Sequence, residues 1–209
     1  MAALEDPRKP RRRRGATTQS QVVDAALAVA DQVGIDRLTI RAVARLADVP
    51  TMSLYSHFSS KDELLALMHA EVTQRLATDE RYASWQSALV GLCTRLRTVL
   101  VAHPHWVPLV SRTAPFVPAG VQERMLELML ADGVSPGWAR AALSSALLVA
   151  KGLVLLELSD TEGPASIVRA KAGAPAGADT GNSSDAAENF AVALRTYVRG
   201  LESAKLTTL

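Results

Sequence analysis

The chain has a single cysteine in 209 residues, which rules out an internal disulfide. That residue, Cys93, stands among Leu89, Leu92 and Leu96 and reads as a buried thiol rather than a reactive one. Aromatic residues make up only 4%, while alanine and leucine are abundant, a balance that favours helix over strand. The expected fold class is all-α. No run approaches about 18 uninterrupted apolar residues and the N-terminus has no apolar core, so neither a spanning helix nor a secretory signal is expected. The expected location is the cytoplasm, with no membrane partner. The sequence also lacks G-x-S-x-G, a nucleotide-binding loop, a zinc motif and any paired-acid constellation, so a helical enzyme or carrier is the weaker rival reading and no catalytic residue or cofactor is assigned. His103 and His105 flank Pro104 with no third ligand at metal-binding spacing, which marks a turn and not a metal site.

What the chain does have is enough apolar surface for a substantial core: 48% of residues are hydrophobic. The net charge is only +2, but it is unevenly placed. Six of the seven residues from 8 to 14, including Arg11, Arg12, Arg13 and Arg14, are basic. Residues 18–60 carry three arginines (37, 41, 45) against four aspartates (24, 31, 36, 48), a formal charge of −1. Bulk charge therefore gives no hint of what residues 18–60 bind, and residues 1–17 read as a disordered basic arm.

The most informative stretch runs from Leu38 to Leu65. Thr39 can cap a short helix whose inward residues are Ile40, Val43, Ala44 and Leu46. Pro50 removes a donor and disfavours the helical region for Val49, so that helix ends near Ala47. A second short helix starts at Thr51, with Leu54 and Phe58 on its buried side and Thr51, Met52, Ser53, Tyr55, Ser56 and His57 projecting outward. Ser60 and Glu63 then form a capping box that opens a helix of about residues 60–77, with Leu64, Leu65, Met68, Val72 and Leu76 at helical spacing. Two short helices joined by a tight turn make a helix-turn-helix, whose second helix enters the major groove of DNA.

The spacing L-T-x-R-x-V-A-x-x-x-x-V-x-x-x-x-L-Y-x-H-F-x-x-K-x-x-L-L, met by Leu38, Thr39, Arg41, Val43, Ala44, Val49, Leu54, Tyr55, His57, Phe58, Lys61, Leu64 and Leu65, resembles the tetracycline-repressor (TetR) family of bacterial transcriptional regulators. One departure is Asp48, where the family usually has a turn glycine. The resemblance implies a homodimeric repressor of a palindromic double-stranded DNA operator, released by a small-molecule effector. An effector-free DNA-binding regulator is the alternative. It implies that Tyr55, His57 and Lys61 hold phosphates while Arg41, Thr51, Met52 and Ser53 lie nearest base edges, with Thr39 and Ser56 beside them.

The domain organisation expected is an arm (1–17), a helix-turn-helix domain (18–65) and a helical effector and dimerisation domain (66–209). Thr18 and Gln21 can form a capping box for a first helix with an inner stripe of Val22, Val23, Ala26, Leu27, Ala30 and Val33, closed by Gly34. A helix from Trp85 to Val101 aligns Leu89, Leu92, Leu96 and Leu100. Residues 106–132 form a helical stretch, a bend and another helix, and the resemblance implies an effector cavity here, lined by Trp106, Val110, Thr113, Phe116, Met125 and Met129. Tetracycline-binding members place a metal-ligating histidine shortly before a Thr-x-Pro run. Here Thr113-Ala114-Pro115 has Val110 in that place, so a tetracycline–magnesium ligand is not expected and the effector should be largely apolar. Helices at 136–158 and 186–203, the first apolar nearly all round and the second aligning Phe190, Leu194, Tyr197, Val198 and Leu201, are expected to pair with a second copy, and 160–185 reads as a mobile loop.

One outcome follows from the arm alone. Deleting residues 8–14 is expected to weaken duplex binding strongly at low salt and much less at high salt, without changing the preferred sequence, because counterion release scales with the phosphates neutralised. Fluorescence anisotropy across a salt series checks this.

Overall fold

The computed structural model describes residues 17–77, 82–112, 117–162 and 183–207, and these are helical throughout, with no strand among them. The helices are α1 (Gln19–Val33), α2 (Ile40–Leu46), α3 (Thr51–Leu54), α4 (Lys61–Gln74), α5 (Trp85–Ala102), a 3-10 turn (Pro104–Trp106), α6 (Val107–Arg112), α7 (Ala119–Ala131), α8 (Pro136–Glu162) and α9 (Ser183–Thr207). Residues 163–182, the greater part of the expected loop, lie outside the described residues, as do the arm up to residue 16 and Thr113 and Phe116. Helices α8 and α9 both run longer than expected, α8 to Glu162 and α9 from Ser183 to Thr207, the latter with Asp185 in its first turn, where a negative charge favours the helix start.

Local sequence explains most boundaries. The Thr18–Gln21 capping box closes reciprocally at the start of α1, and Gly34 ends that helix with φ +82°. A second reciprocal box at Ser84 and Ser87 starts α5. At α4 the Ser60 hydroxyl accepts from Glu63 N as expected, but the Glu63 carboxylate reaches one residue further back than a capping box does. It accepts from both the amide and the hydroxyl of Ser59 at 2.6 Å, and these two bonds hold its pKa below the usual 4.5. The side chain thus ties the incoming chain to the helix start.

Core formation follows the apolar stripes. Val22, Val23, Ala26, Leu27 and Ala30 of α1 are buried with Leu64, Met68 and Val72 of α4. In the larger part of the chain, α5 and α8 run side by side: Trp85 meets Trp138 edge-on at 5.8 Å, Cys93 Sγ lies 3.8 Å from Ala146 O, and Arg97 pairs with Glu157. Pairing of Gln86 with Glu202 and of Arg97 with the Phe190 ring sets α9 antiparallel to them. The small residues Ala142, Ala146 and Ala150 are taken up by this internal contact. Burial pushes the Cys93 thiol up to about 12, so it stays a neutral core group.

Three expectations are corrected. Leu46 is exposed: in a helix of seven residues anchored by Val43 and Ala44, the next inward position falls at Ala47. By length and composition Pro136–Ser159 is apolar enough to cross a membrane, with a mean hydropathy of 1.8 over its most apolar stretch, and an uninterrupted-run criterion misses it because Ser144, Ser145 and Lys151 divide it. In the fold this helix packs on α5, α7 and α9. Finally, Leu194 is 0% exposed inside the subunit and does not lie on an outer face.

Leu194→Ala is therefore expected to destabilise the subunit itself, by about 2–4 kcal/mol for a truncated core leucine. Urea unfolding monitored by circular dichroism measures this, and an effect below about 1 kcal/mol would place Leu194 outside the core.

Candidate nucleic-acid interface

The unit formed by α2, its turn and α3 is held by short-range geometry. Thr39 Oγ1 accepts from Ala42 N at 3.2 Å to start α2. The turn closes through Ala47 N to Val43 O at 2.8 Å and Val49 N to Ala44 O at 3.0 Å, with Asp48 between them at φ +54°. Asp48 thus takes the left-handed conformation in which glycine is unstrained, and its short polar side chain makes that tolerable. Pro50 leads into α3, a single turn of four residues.

A one-turn helix has no stability of its own, so it must be held from beneath. Leu54 and Phe58 do so, both buried, while the Tyr55 ring rests on Phe58 with centroids 5.9 Å apart. The outward side chains divide by what they can still donate. Met52 and Ser53 are exposed, Tyr55 is 46% exposed, and Thr51 and His57 are half-buried at the edge. The Ser56 hydroxyl donates to Ser53 O at 2.7 Å, so its only proton is committed and it offers a phosphate no donor in this arrangement. Thr39 uses its oxygen as an acceptor and keeps its proton. Arg41 and Lys61 are exposed at the start of α2 and of α4. Thr51, Met52 and Ser53 thus lie on α3 and Tyr55, Ser56 and His57 in the turn that follows it, with Met52, Ser53, Tyr55 and Ser56 exposed. The side chain of Gln19 adds a contact that sequence spacing does not reveal, donating to His57 O at 3.1 Å across 38 residues. The start of α1, and with it the point where the basic arm joins, is held beside α3.

Residues 22–68, which contain this whole unit, fit the model of the tetR family of bacterial regulatory proteins. The chain belongs to the TetR family. It is 30% identical over 141 residues to an HTH-type transcriptional regulator of Saccharopolyspora erythraea, a stretch covering 67% of this chain and 59% of that protein. It is 31% identical over 140 residues to the class A tetracycline repressor protein from transposon 1721 of Escherichia coli, with 65% of each covered. The chain therefore spans under two thirds of these relatives' lengths. The fold matches the crystal structure of TetR from Acinetobacter baumannii AYE, with a TM-score of 0.68 at 24% identity over 90% of this chain and 98% of that one.

In this TetR-family chain four of the residues expected around an effector fall within the described residues. Met125 lines a shallow, solvent-open cleft between α5 and α7, with an enclosed space of only about 30 Å³, together with Tyr82, Ala88, Leu92, Val121, Arg124 and Leu128. Trp106, Val110 and Met129 are buried in the core. Trp106 stacks on His103 at 3.7 Å with Arg75 5.0 Å from its centroid, and His103 Nδ1 lies 3.0 Å from Asp31 Oδ2. Tyr82 lies against Gly91, where a methyl group would collide with its hydroxyl. Among the described residues no group of three or more His, Cys, Asp or Glu is placed to hold a metal.

With duplex DNA as ligand, Lys61→Ala is expected to lower affinity for all sequences alike and to reduce the salt slope by about one unit, whereas Arg41→Ala relaxes preference mainly at one base pair. Salt titrations of both variants check this, and an unchanged slope for Lys61→Ala would remove it from the phosphate contacts.

Proposed function

We propose that this TetR-family protein is a cytoplasmic DNA-binding transcriptional repressor that acts as a homodimer on a palindromic operator and is released by a small, largely apolar effector. The observation that carries this reading is the α2–turn–α3 unit. Its left-handed Asp48 and buried Leu54 and Phe58 fix a convex one-turn helix whose outer side presents Met52, Ser53 and Tyr55. A convex helical edge carrying hydroxyl, phenol and thioether groups suits a major groove about 12 Å wide. Arg41 and Lys61 supply cations at the two flanks, and Gln19 holds the root of the basic arm where it can follow the backbone.

Dimerisation rests on apolar surface that the subunit leaves uncovered. Leu148, Leu155 and Leu156 of α8 are 63%, 41% and 65% exposed, and Val192 of α9 is 51% exposed. Two such helices from each of two copies make a four-helix bundle across a two-fold axis, which in turn calls for two like half-sites. Helix α4 packs on both α1 and α6, so a ligand that shifts α6 changes the tilt of the reading unit. Such a ligand releases DNA only insofar as it binds one tilt better than the other. The cleft between α5 and α7 is walled mostly by alanine, leucine, valine and methionine, which favours an apolar effector, and Val110 cannot ligate a metal.

Selection of duplexes from a random library at physiological salt tests the reading and is expected to yield a palindrome. Leu148→Asp combined with Leu155→Asp should turn dimers into monomers with little change in subunit stability and a loss of operator affinity of at least about tenfold, since a lone subunit meets only one half-site. No enriched sequence, or a double variant still dimeric by sedimentation, would overturn the corresponding half.

A further inference from the structure

Among the described residues Met52 is the most exposed large apolar side chain, at 79%. Of the others, Leu148, Leu155, Leu156 and Val192 belong to the uncovered face of α8 and α9, and Leu46, Tyr55 and Leu130 are each less than half exposed. Met52 is instead the second residue of α3, on the side turned away from Leu54. A thioether on an unbranched chain has no donor and only a weak acceptor, so Met52 cannot read the hydrogen-bonding pattern of a base edge. The major groove holds one apolar group that distinguishes base pairs, the C5-methyl of thymine. Its neighbours do not compete for that role. Ser53 accepts the Ser56 proton on its carbonyl and carries a short hydroxyl that suits any base, and Thr51 is half-buried at the root of the helix.

We infer that Met52 is a specificity-determining residue that seats against a thymine methyl, so that each operator half-site carries a thymine read through its methyl group and not through a hydrogen bond. This rests on the proposed DNA-binding function. The thioether is polarizable and its chain has several rotatable bonds, so it can follow a methyl group without the fixed geometry that a bidentate hydrogen bond demands. The contact therefore discriminates thymine from cytosine by an added methyl group, and from uracil by that group alone.

The experiment uses the full-length protein and the duplex that it selects, with each thymine replaced in turn by deoxyuridine, which keeps every hydrogen-bonding group and deletes only the methyl. At one position per half-site the wild type is expected to lose about fourfold in affinity, the worth of one buried methyl group, with the two half-sites multiplying. Met52→Ala should bind thymine and uracil equally at that position while keeping its preference at the other base pairs, and Met52→Leu should keep the distinction. Placing 5-methylcytosine where cytosine replaces the thymine should recover part of the loss for the wild type and none for Met52→Ala. The inference is overturned if no position shows a thymine–uracil difference that vanishes in Met52→Ala, or if the difference persists unchanged in that variant. If the wild type selects no duplex at all, the DNA-binding reading itself fails, an outcome distinct from binding that ignores the methyl.

Discussion

The arrangement of this protein depends on one buried indole. Trp106 is 1% exposed, stacked on the His103 ring and overlain by the Arg75 guanidinium, and His103 is in turn bonded to Asp31 of α1. Arg75 follows α4, His103 ends α5, and Asp31 stands near the end of α1, so three helix ends meet on a single ring system. With the Arg75 side chain 38% exposed, its cation–π contact contributes about 0.5–1 kcal/mol, and the stacked rings add to it. These contacts are directional, unlike the aliphatic packing around them, and they set the angle between the first helices and the rest. Without this junction, α4 would be the main tie between the reading unit and the larger helical part.

Around that junction the two parts are built by different means. The first three helices, of which α2 and α3 are short, owe their ends to local chemistry, with Thr18, Thr39, Asp48 and Gly34 each satisfying or bending the backbone at a boundary. The larger part relies on long helices with apolar stripes and few polar links, of which Arg97 with Glu157 and Trp85 Nε1 with Asp132 Oδ2 at 2.8 Å are the clearest. The Arg97–Glu157 pair is largely shielded and the Trp85 ring is buried, so removing Glu157 or Asp132 would leave a desolvated donor, whereas the stripes alone would tolerate sliding. Polar pairs at such places set the register of helices that hydrophobicity merely brings together.

How much was legible in the sequence follows from this division. Caps, turn and outward residues of α2 and α3 were readable because each depends on residues within four positions of one another. The buried stripes of α1, α4, α5 and α9 were readable because periodicity alone places them. Distant contacts were not: Gln19 with His57, Asp31 with His103 and Arg75 with Trp106 join positions that no spacing rule connects. The same limit explains the candidate cavity. Tyr82, Arg124 and Leu128 line it beside the expected Met125, and their meeting depends on how α5 and α7 cross. Leu46 and Leu194 show a second limit, since a periodic pattern identifies an apolar position without saying what covers it.

The brevity of α3 has a consequence in entropy. Four residues cannot hold a helix in water, so this segment has its shape only while Leu54 and Phe58 are packed into the protein. Fixing a backbone costs roughly 1–2 kcal/mol per residue, and here that loss is incurred once, during folding. A surface arranged in advance meets a rigid partner with only its outward side chains left to order. Met52 retains the most rotational freedom among them, so the unit combines a stiff frame with one pliable tip. Any change that loosens Leu54 or Phe58 would move the ordering cost from folding to binding, weakening association without removing a single contact from the bound state.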